Sequence, residues 1–144
     1  MKNLFFVLSL VLLLGGCSGA DQQQNNSQST TKESQQARVI TLNSKDFQSK
    51  FQTGKGILLD VRTPAEINQG ILSKDATVID IYSSDFAKRV LELPKDEEIY
   101  IYCSAGVRSE QAANFLIENG YTQVFHLRGG LGDWARNGLP LERL

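Results

Sequence analysis

Residues 99–109 read Ile-Tyr-Ile-Tyr-Cys-Ser-Ala-Gly-Val-Arg-Ser, and this segment is the most informative about the fold. Residues 99–102 are all β-branched or aromatic, which is typical of a strand that is buried on both faces. Small residues come next, and a helical pattern over 109–119 then ends at Gly120. The stretch therefore predicts a strand, a tight loop and a helix in succession, with Cys103 at the carboxyl end of the strand.

Cys103 is the candidate nucleophile. Small residues Ser104, Ala105 and Gly106 let the backbone curl, so that several N–H groups point inward and form a nest for an anion. The start of the following helix and the charge of Arg108 add positive potential at the sulfur. These effects favour the thiolate and predict a pKa below the free value of about 8.5. A buried core cysteine is the alternative for this residue alone, but the whole arrangement favours a reactive site.

Strand and helix patterns alternate over the whole of residues 38–144. Strands that are apolar on both faces and alternate with helices predict an α/β layer fold with a mainly parallel sheet. In such sheets the ligand site lies beyond the carboxyl ends of the strands. Strands are predicted at 39–42, 57–61, 77–81, 99–102 and 124–127, and helices after the cap residue Ser44, after the capping box at 63–66, over 86–93, over 109–119 and around Trp134.

Length and composition exclude several classes of site. A chain of 144 residues suits one domain of ordinary size, and 15 Lys+Arg against 16 Asp+Glu provide no basic field for nucleic acid. Two cysteines exclude a disulfide-rich scaffold and a four-thiolate zinc site, and a single histidine excludes multi-histidine metal sites. We therefore expect no metal and no cofactor, so the chemistry has to come from cysteine, carboxylates or backbone groups.

Residues 1–16 are predicted to be a lipoprotein signal peptide. Lys2 gives the segment a positive start, and the apolar run 4–14 would extend about 16 Å as a helix, roughly half of a hydrocarbon core. Leu-Gly-Gly directly precedes Cys17, which resembles the lipobox of bacterial lipoproteins. We expect Cys17 to be lipidated and to anchor the protein in the cell envelope, on the periplasmic side or on the outer face of the cytoplasmic membrane. An ordinary signal peptide with an incidental Cys17 is the alternative.

Residues 17–37 are predicted to form a flexible tether behind that lipid. The tract is rich in Gln, Asn, Ser and Thr and holds no large apolar residue, so it cannot bury enough surface to offset its ordering entropy. Its expected reach is roughly 25 Å. A Gln/Asn-rich assembly segment is the alternative. With Cys17 lipidated, the mature protein has one free thiol, which excludes chemistry that needs an internal pair of thiols.

Three motifs of the domain resemble the rhodanese family of sulfurtransferases. They are LLDVRTPAE at 58–66, CSAGVRS at 103–109 with the alanines 112 and 113, and LRGG at 127–130 continuing through Trp134 to GLP at 138–140. The resemblance covers residues 38–144. It implies a single rhodanese-like domain with a central five-stranded, mainly parallel sheet flanked by helices. It also implies that Cys103 takes sulfane sulfur from a donor, carries it as a persulfide and passes it to a thiophilic acceptor.

The resemblance also suggests which residues bind substrate. The loop residues that would hold the donor are Ser104, Ala105, Gly106, Val107 and Arg108. Six residues from Cys103 to Arg108 match the sulfurtransferase-like members, whereas related phosphatases and arsenate reductases use a loop one residue longer.

Residues outside that loop are expected to support it or to serve the core. Asp60, Arg62 and Glu66 are expected to brace the loop, with Glu66 mainly a helix cap, while His126 is expected to be structural. Many family members carry a histidine directly after the position of Gly70, where this chain has isoleucine, so one pocket wall is expected to differ.

Three functions remain open from the sequence. We favour an extracytoplasmic, membrane-anchored sulfurtransferase that moves sulfur from thiosulfate or a similar small donor to a thiol, to cyanide or to a protein acceptor. A non-catalytic sulfur carrier that delivers its persulfide to a partner protein is the second. A phosphatase-like enzyme on the same scaffold is the third.

Overall fold

The structure, a computed structural model, describes residues 37–143. The predicted signal peptide 1–16, the lipidation site Cys17 and all but the last residue of the predicted tether 17–37 lie outside the described residues. Within 37–143 no helix is long and apolar enough to cross a bilayer.

Five parallel strands form a single sheet in the order β1-β5-β4-β2-β3. This confirms the predicted α/β fold with a parallel sheet flanked by helices. The strand that ends at the candidate nucleophile lies at the centre of the sheet, between β5 and β2. The strands are β1 Ile40–Leu42, β2 Gly56–Asp60, β3 Thr77–Val78, β4 Glu98–Tyr102 and β5 Val124–Leu127.

Helices cover both faces of the sheet. One hydrophobic core takes side chains from α3 and α4, and the other takes them from α1, α2 and α5. The helices are α1 Ser44–Thr53, α2 Pro64–Ile67, α3 Phe86–Leu91, α4 Val107–Glu118 and α5 Gly130–Arg136.

Side chains of β4 alternate between these two cores, because successive residues of a strand point to opposite faces. Ile99 and Ile101 belong to the core under α3 and α4, and Cys103 belongs to the same core. Tyr100 and Tyr102 belong to the opposite core. The alternation of β4 thus turns the thiol toward the first turn of α4.

Several element boundaries differ from the sequence prediction by one or more residues, and three of these differences have an identifiable physical cause. Helix α4 begins at Val107 rather than at 109, because Gly106 makes the turn with a φ of 99° and the helix can start directly after it. Strand β3 is confined to Thr77–Val78, because the backbone bonds that follow lose the parallel register. Ile79 N donates to Asp60 O at 3.0 Å, but Ile81 N, two residues later, donates to Val61 O, only one residue later, at 3.3 Å.

The third difference lies at the start of α1. The cap residue is Asn43, whose side chain accepts the N–H of Asp46 at 3.0 Å. Ser44 is the first helical residue instead, and its hydroxyl donates to Asp133 Oδ2 at 2.7 Å. The serine therefore ties α1 to α5 rather than capping its own helix.

Candidate active site

Cys103 directly follows β4, and its residue surface is 1% exposed. The backbone N–H of Gly106 donates to its sulfur across 3.1 Å, and the hydroxyl of Ser109 lies 3.5 Å from the sulfur. Both donors come from the tight loop and the first turn of α4. The nest of inward N–H groups expected from the small residues is therefore formed around the thiol.

The pKa of the Cys103 thiol lies below its ordinary value. Burial raises this pKa, but the Ser109 hydroxyl and the backbone N–H groups of Ser109, Ala105 and Gly106 outweigh it by hydrogen bonding to the sulfur. The direction agrees with the sequence prediction. Its main physical source is this ring of hydrogen-bond donors rather than the charge of Arg108.

Helix α5 holds the outer side of the same loop. The N–H groups of Leu131 and Gly132 donate to the carbonyl oxygens of Cys103 and Ser104 at 2.9 and 3.0 Å. The contact is so close that a Cβ on Gly130 would lie 2.3 Å from the Cys103 oxygen. Because these carbonyls are engaged by α5, the loop keeps its carbonyls turned outward and its N–H groups free to face the sulfur.

His126 of β5 supports the loop from below. Its Nε2 lies 3.0 Å from the Gly106 carbonyl oxygen, and because a carbonyl only accepts, this nitrogen carries the hydrogen. Burial lowers the pKa of His126, which keeps the ring neutral, and its Nδ1 has no partner among the described residues. The predicted position of His126 in the fifth strand is confirmed, whereas this bond was not predicted. The bond depends on the register of β5 against β4, in which His126 pairs with Ile101, and no local pattern of the sequence indicates it.

Arg108 forms an ion pair with Glu66 at the rim of the loop. Its Nη1 and Nη2 donate to the two carboxylate oxygens at 2.7 and 2.5 Å, which is a bidentate arrangement. The hydroxyl of Ser104 donates to the same carboxylate at 2.6 Å. The bonds from Arg108 lower the pKa of Glu66, and Glu66 in turn raises the pKa of Arg108.

Glu66 also has the capping role expected from the sequence. Its carboxylate accepts the backbone N–H of Thr63 at 3.1 Å and the Thr63 hydroxyl at 2.9 Å, with Pro64 in the first turn. One carboxylate therefore joins α2 to the loop. The contact of Glu66 with the loop, expected to be secondary to capping, is extensive, because Glu66 bonds to both Ser104 and Arg108.

Asp60 and Arg62 form a second ion pair beneath α2. Arg62 Nη2 lies 2.6 Å from Asp60 Oδ2, and the two side chains are 3% and 0% exposed. Arg62 also donates to the carbonyl oxygens of Glu66 and Gly70 at 3.2 and 2.8 Å. These bonds fix α2 and the turn at Gly70, so that the pair reaches the 103–108 loop indirectly, through Glu66.

The mouth of the site carries exposed apolar and aromatic groups. Val107 is 63% exposed, and Tyr82 is 71% exposed with its ring centre 5.6 Å from the guanidinium carbon of Arg108. Ala105 is also exposed. Across residues 37–143 no group of three or more His, Cys, Asp or Glu side chains is placed to hold a metal ion.

Chemically, this arrangement suits a thiolate nucleophile. The donors that stabilise the thiolate can also stabilise an anion that forms one bond farther out, on an atom newly attached to the sulfur. The arrangement offers no second thiol within residues 37–143, where Cys103 is the free cysteine.

Comparison with known proteins identifies the family. Residues 43–137 match the Rhodanese-like domain family. A protein of Allochromatium vinosum named "Sulfurtransferase" is 46% identical over 85 residues, which are 59% of this chain and 77% of the relative. The Bacillus subtilis protein YqhL is 34% identical over 101 residues, which are 70% of this chain and 76% of the relative.

A solved structure gives the same result. The rhodanese-like domain protein of Staphylococcus aureus has 26% sequence identity and a TM-score of 0.61, and the match covers 73% of this chain and 98% of that protein. The similarity thus spans nearly the whole of a single-domain relative. On the family match and this shared fold, the chain belongs to the rhodanese-like domain family.

Proposed function

We propose that this protein is a sulfurtransferase in which Cys103 carries sulfane sulfur as a persulfide. The observation that carries the proposal is the position of the Cys103 sulfur, 3.1 Å from the Gly106 N–H and 3.5 Å from the Ser109 hydroxyl at the end of the central strand. The name of the Allochromatium vinosum relative, "Sulfurtransferase", supports the same chemistry.

The first half-reaction loads the cysteine. The Cys103 thiolate attacks the outer sulfur of a small sulfane donor such as thiosulfate, so that a bond forms between the two sulfurs. The donor's own sulfur–sulfur bond breaks, and its leaving group departs with the electron pair, as sulfite does from thiosulfate. The terminal sulfur of the resulting persulfide carries the negative charge, which the N–H groups of the loop stabilise.

The second half-reaction removes the terminal sulfur from the Cys103 persulfide. A thiophilic acceptor, which is cyanide, a small thiol or a protein thiol, attacks the terminal sulfur, and Cys103 leaves as the thiolate. Since the loop donors already lower the pKa of this thiol, they also make it a good leaving group. The same donors therefore assist both halves of the cycle, and the proposal requires no cofactor.

Thiocyanate formation from thiosulfate and cyanide tests the proposal. We expect turnover by residues 38–144, none by Cys103→Ala, and an intact mass that rises by one sulfur atom after donor alone. A mass gain without thiocyanate would favour a sulfur carrier. Absence of both with thiosulfate and also with a thiosulfonate as donor, with Cys103→Ala behaving like the wild type, would refute sulfur transfer. Phosphate release from an aryl phosphate ester would then favour the phosphatase-like alternative.

We further propose that the protein is a lipoprotein of the cell envelope. Lys2, the apolar run 4–14 and the Leu-Gly-Gly-Cys sequence that ends at Cys17 support a lipidated signal peptide. The polar tract that follows supports a tether between the lipid and the domain. Incorporation of radiolabelled palmitate by the full chain, lost in Cys17→Ala, is the expected result. Equal labelling of the two would refute the anchor.

A further inference from the structure

The charge of the Cys103 loop bears on which anionic donors can approach the sulfur. Within residues 103–108 the only residue with a fixed charge is Arg108. Its guanidinium is bound at both nitrogens by the Glu66 carboxylate, at 2.7 and 2.5 Å. The pair is largely shielded from solvent, with side chains 17% and 28% exposed. The rim therefore presents a cation whose charge is already balanced.

The charge that remains unpaired within the loop is that of the thiolate itself. A donor with two negative charges, such as thiosulfate, has to approach this thiolate without an unpaired cation from the 103–108 loop. A donor with one negative charge meets about half of that repulsion. Two further arginines follow at this edge of the sheet, and solvent screens the charge of each: Arg136 is paired with Asp133 at 3.4 Å and is 70% exposed, and Arg128, directly after β5, is exposed.

We propose that Glu66 determines donor specificity, and that by neutralising Arg108 it selects sulfane donors with a single negative charge, of the persulfide or thiosulfonate type, over dianionic thiosulfate. This inference rests on the proposed sulfur transfer and names the substrate class of the same site. Glu66 acts through Arg108 and is a positioning residue, since the carboxylate bonds to Arg108, Ser104 and Thr63 and not to the sulfur.

The transfer from such a donor balances in the same way as for thiosulfate. With methanethiosulfonate, the Cys103 thiolate bonds to the outer sulfur, the donor's sulfur–sulfur bond breaks, and methanesulfinate leaves with the electron pair. The product is the same Cys103 persulfide. Methanethiosulfonate and thiosulfate share this bond and differ by one unit of charge, which makes them a matched pair of probes.

The experiment measures kcat/KM for methanethiosulfonate and for thiosulfate at one ionic strength. Each value is normalised to the rate at which that donor reacts with a small uncharged phosphine, so that intrinsic reactivity cancels and the effect of charge does not. For the wild type we expect the normalised ratio to favour methanethiosulfonate about tenfold or more. A ratio of one or less would overturn the inference.

Variants at the ion pair give opposite expectations. Glu66→Gln keeps the shape of the side chain and frees the charge of Arg108, so the ratio is expected to fall about tenfold, in favour of thiosulfate. Arg108→Met leaves the Glu66 charge unpaired, so the ratio is expected to rise. If Glu66→Gln does not fold, Arg108→Met carries the test, and an unchanged or lower ratio in it would overturn the inference.

A matched control separates local from global charge. Glu97 is exposed and precedes β4, so it lies at the opposite edge of the sheet from Cys103. Glu97→Gln removes the same charge, and the ratio is expected to stay at the wild-type value; a shift as large as that of Glu66→Gln would overturn the inference. The proposed function fails separately, if Cys103 gains no sulfur from either donor.

Discussion

The imidazole Nε2 of His126 lies 3.0 Å from the carbonyl oxygen of Gly106, and both residues are buried beside the thiol. That oxygen also accepts the N–H of Glu110 and lies 2.9 Å from the hydroxyl of Ser109. The Ser109 hydroxyl has a single hydrogen, which can go either to this oxygen or to the sulfur of Cys103 at 3.5 Å. With His126 bonded to Gly106, the serine is free to donate to the thiolate.

Replacing His126 by phenylalanine is therefore expected to raise the pKa of Cys103. The Gly106 oxygen then retains Ser109 as its donor, and the sulfur loses a hydrogen bond worth about one pKa unit. The rate of alkylation by iodoacetamide as a function of pH measures this value. His126→Gln carries an N–H at a similar reach and is expected to restore the wild-type profile. Identical profiles for His126→Phe and the wild type would contradict the proposed bond.

Ser109→Ala is expected to raise the pKa of Cys103 directly. The hydroxyl is the largest of the groups that lower this pKa, and its loss leaves burial less opposed. A rise of about one unit would leave about tenfold less thiolate near neutral pH. The same alkylation experiment checks it. Ser104→Ala is the matched control, because the Ser104 hydroxyl bonds to Glu66 and not to the sulfur, and its profile should stay close to the wild type.

The ion pair between Glu66 and Arg108 is expected to make stability depend on acid pH. Bonds from Arg108 lower the pKa of Glu66 from its ordinary value of 4.5 in the folded state. A carboxylate with a lowered pKa stabilises the fold fully above the unfolded pKa, and this contribution is lost as the pH falls below it. The free energy of unfolding of the wild type should therefore exceed that of Glu66→Gln by about 1 kcal/mol at pH 7.

Urea unfolding at a series of pH values measures this difference between the two proteins. We expect the difference to be constant from pH 7 down to about 5 and to shrink steadily at lower pH. A difference that stayed constant down to pH 3 would show that the stabilisation does not depend on the charge of the carboxylate.

Gly130→Ala is expected to destabilise the domain by roughly 3–5 kcal/mol and to displace the Cys103 loop. The residue has a φ of 55°, and a Cβ there would lie 2.3 Å from the Cys103 oxygen and 2.7 Å from the Ser104 carbonyl carbon. Gly138→Ala separates backbone strain from this clash, because Gly138 has a φ of 69° but no atom within 4 Å of the added carbon. The free energy of unfolding of Gly138→Ala should fall by only about 1–2 kcal/mol. Urea unfolding of the two variants measures both losses. Equal losses would rule out the close contact.

Asp60→Asn is expected to destabilise the fold by about 3–5 kcal/mol, since it leaves the charge of Arg62 buried without its partner. Chemical denaturation measures the loss. Adding Arg62→Met removes the orphaned charge, so the double variant should be more stable than Asp60→Asn alone. A double variant that lost the sum of the two single effects would show that the two residues do not act as a pair.

Much of the site follows from short-range patterns in the sequence. The run 99–102 predicts the central strand, and the small residues after Cys103 predict inward N–H groups, because both depend on neighbours within a few positions. The capping box at Thr63 and Glu66 is likewise a local signal, and the structure contains it.

Contacts between residues far apart in the chain could not be predicted from such local patterns. Arg108 and Glu66 are separated by 42 positions and meet because β2 and β4 are adjacent, which places the residues that follow them at one edge of the sheet. The bond from His126 to Gly106 needs the register of β5 against β4 as well as the φ of the glycine. The start of α4 shifted for a related reason: glycine at 106 permits an abrupt turn that a periodicity pattern cannot locate.

The dependence of the Cys103 loop on α5 and on His126 has a consequence for synthesis. Both supports are made after the nucleophile, because His126 and residues 130–132 emerge from the ribosome later than Cys103. Until those residues dock, the loop carbonyls are not fixed outward and the thiol keeps an ordinary pKa. We therefore expect the growing chain to expose a cysteine of ordinary reactivity, whose pKa falls only when the last third of the domain has folded.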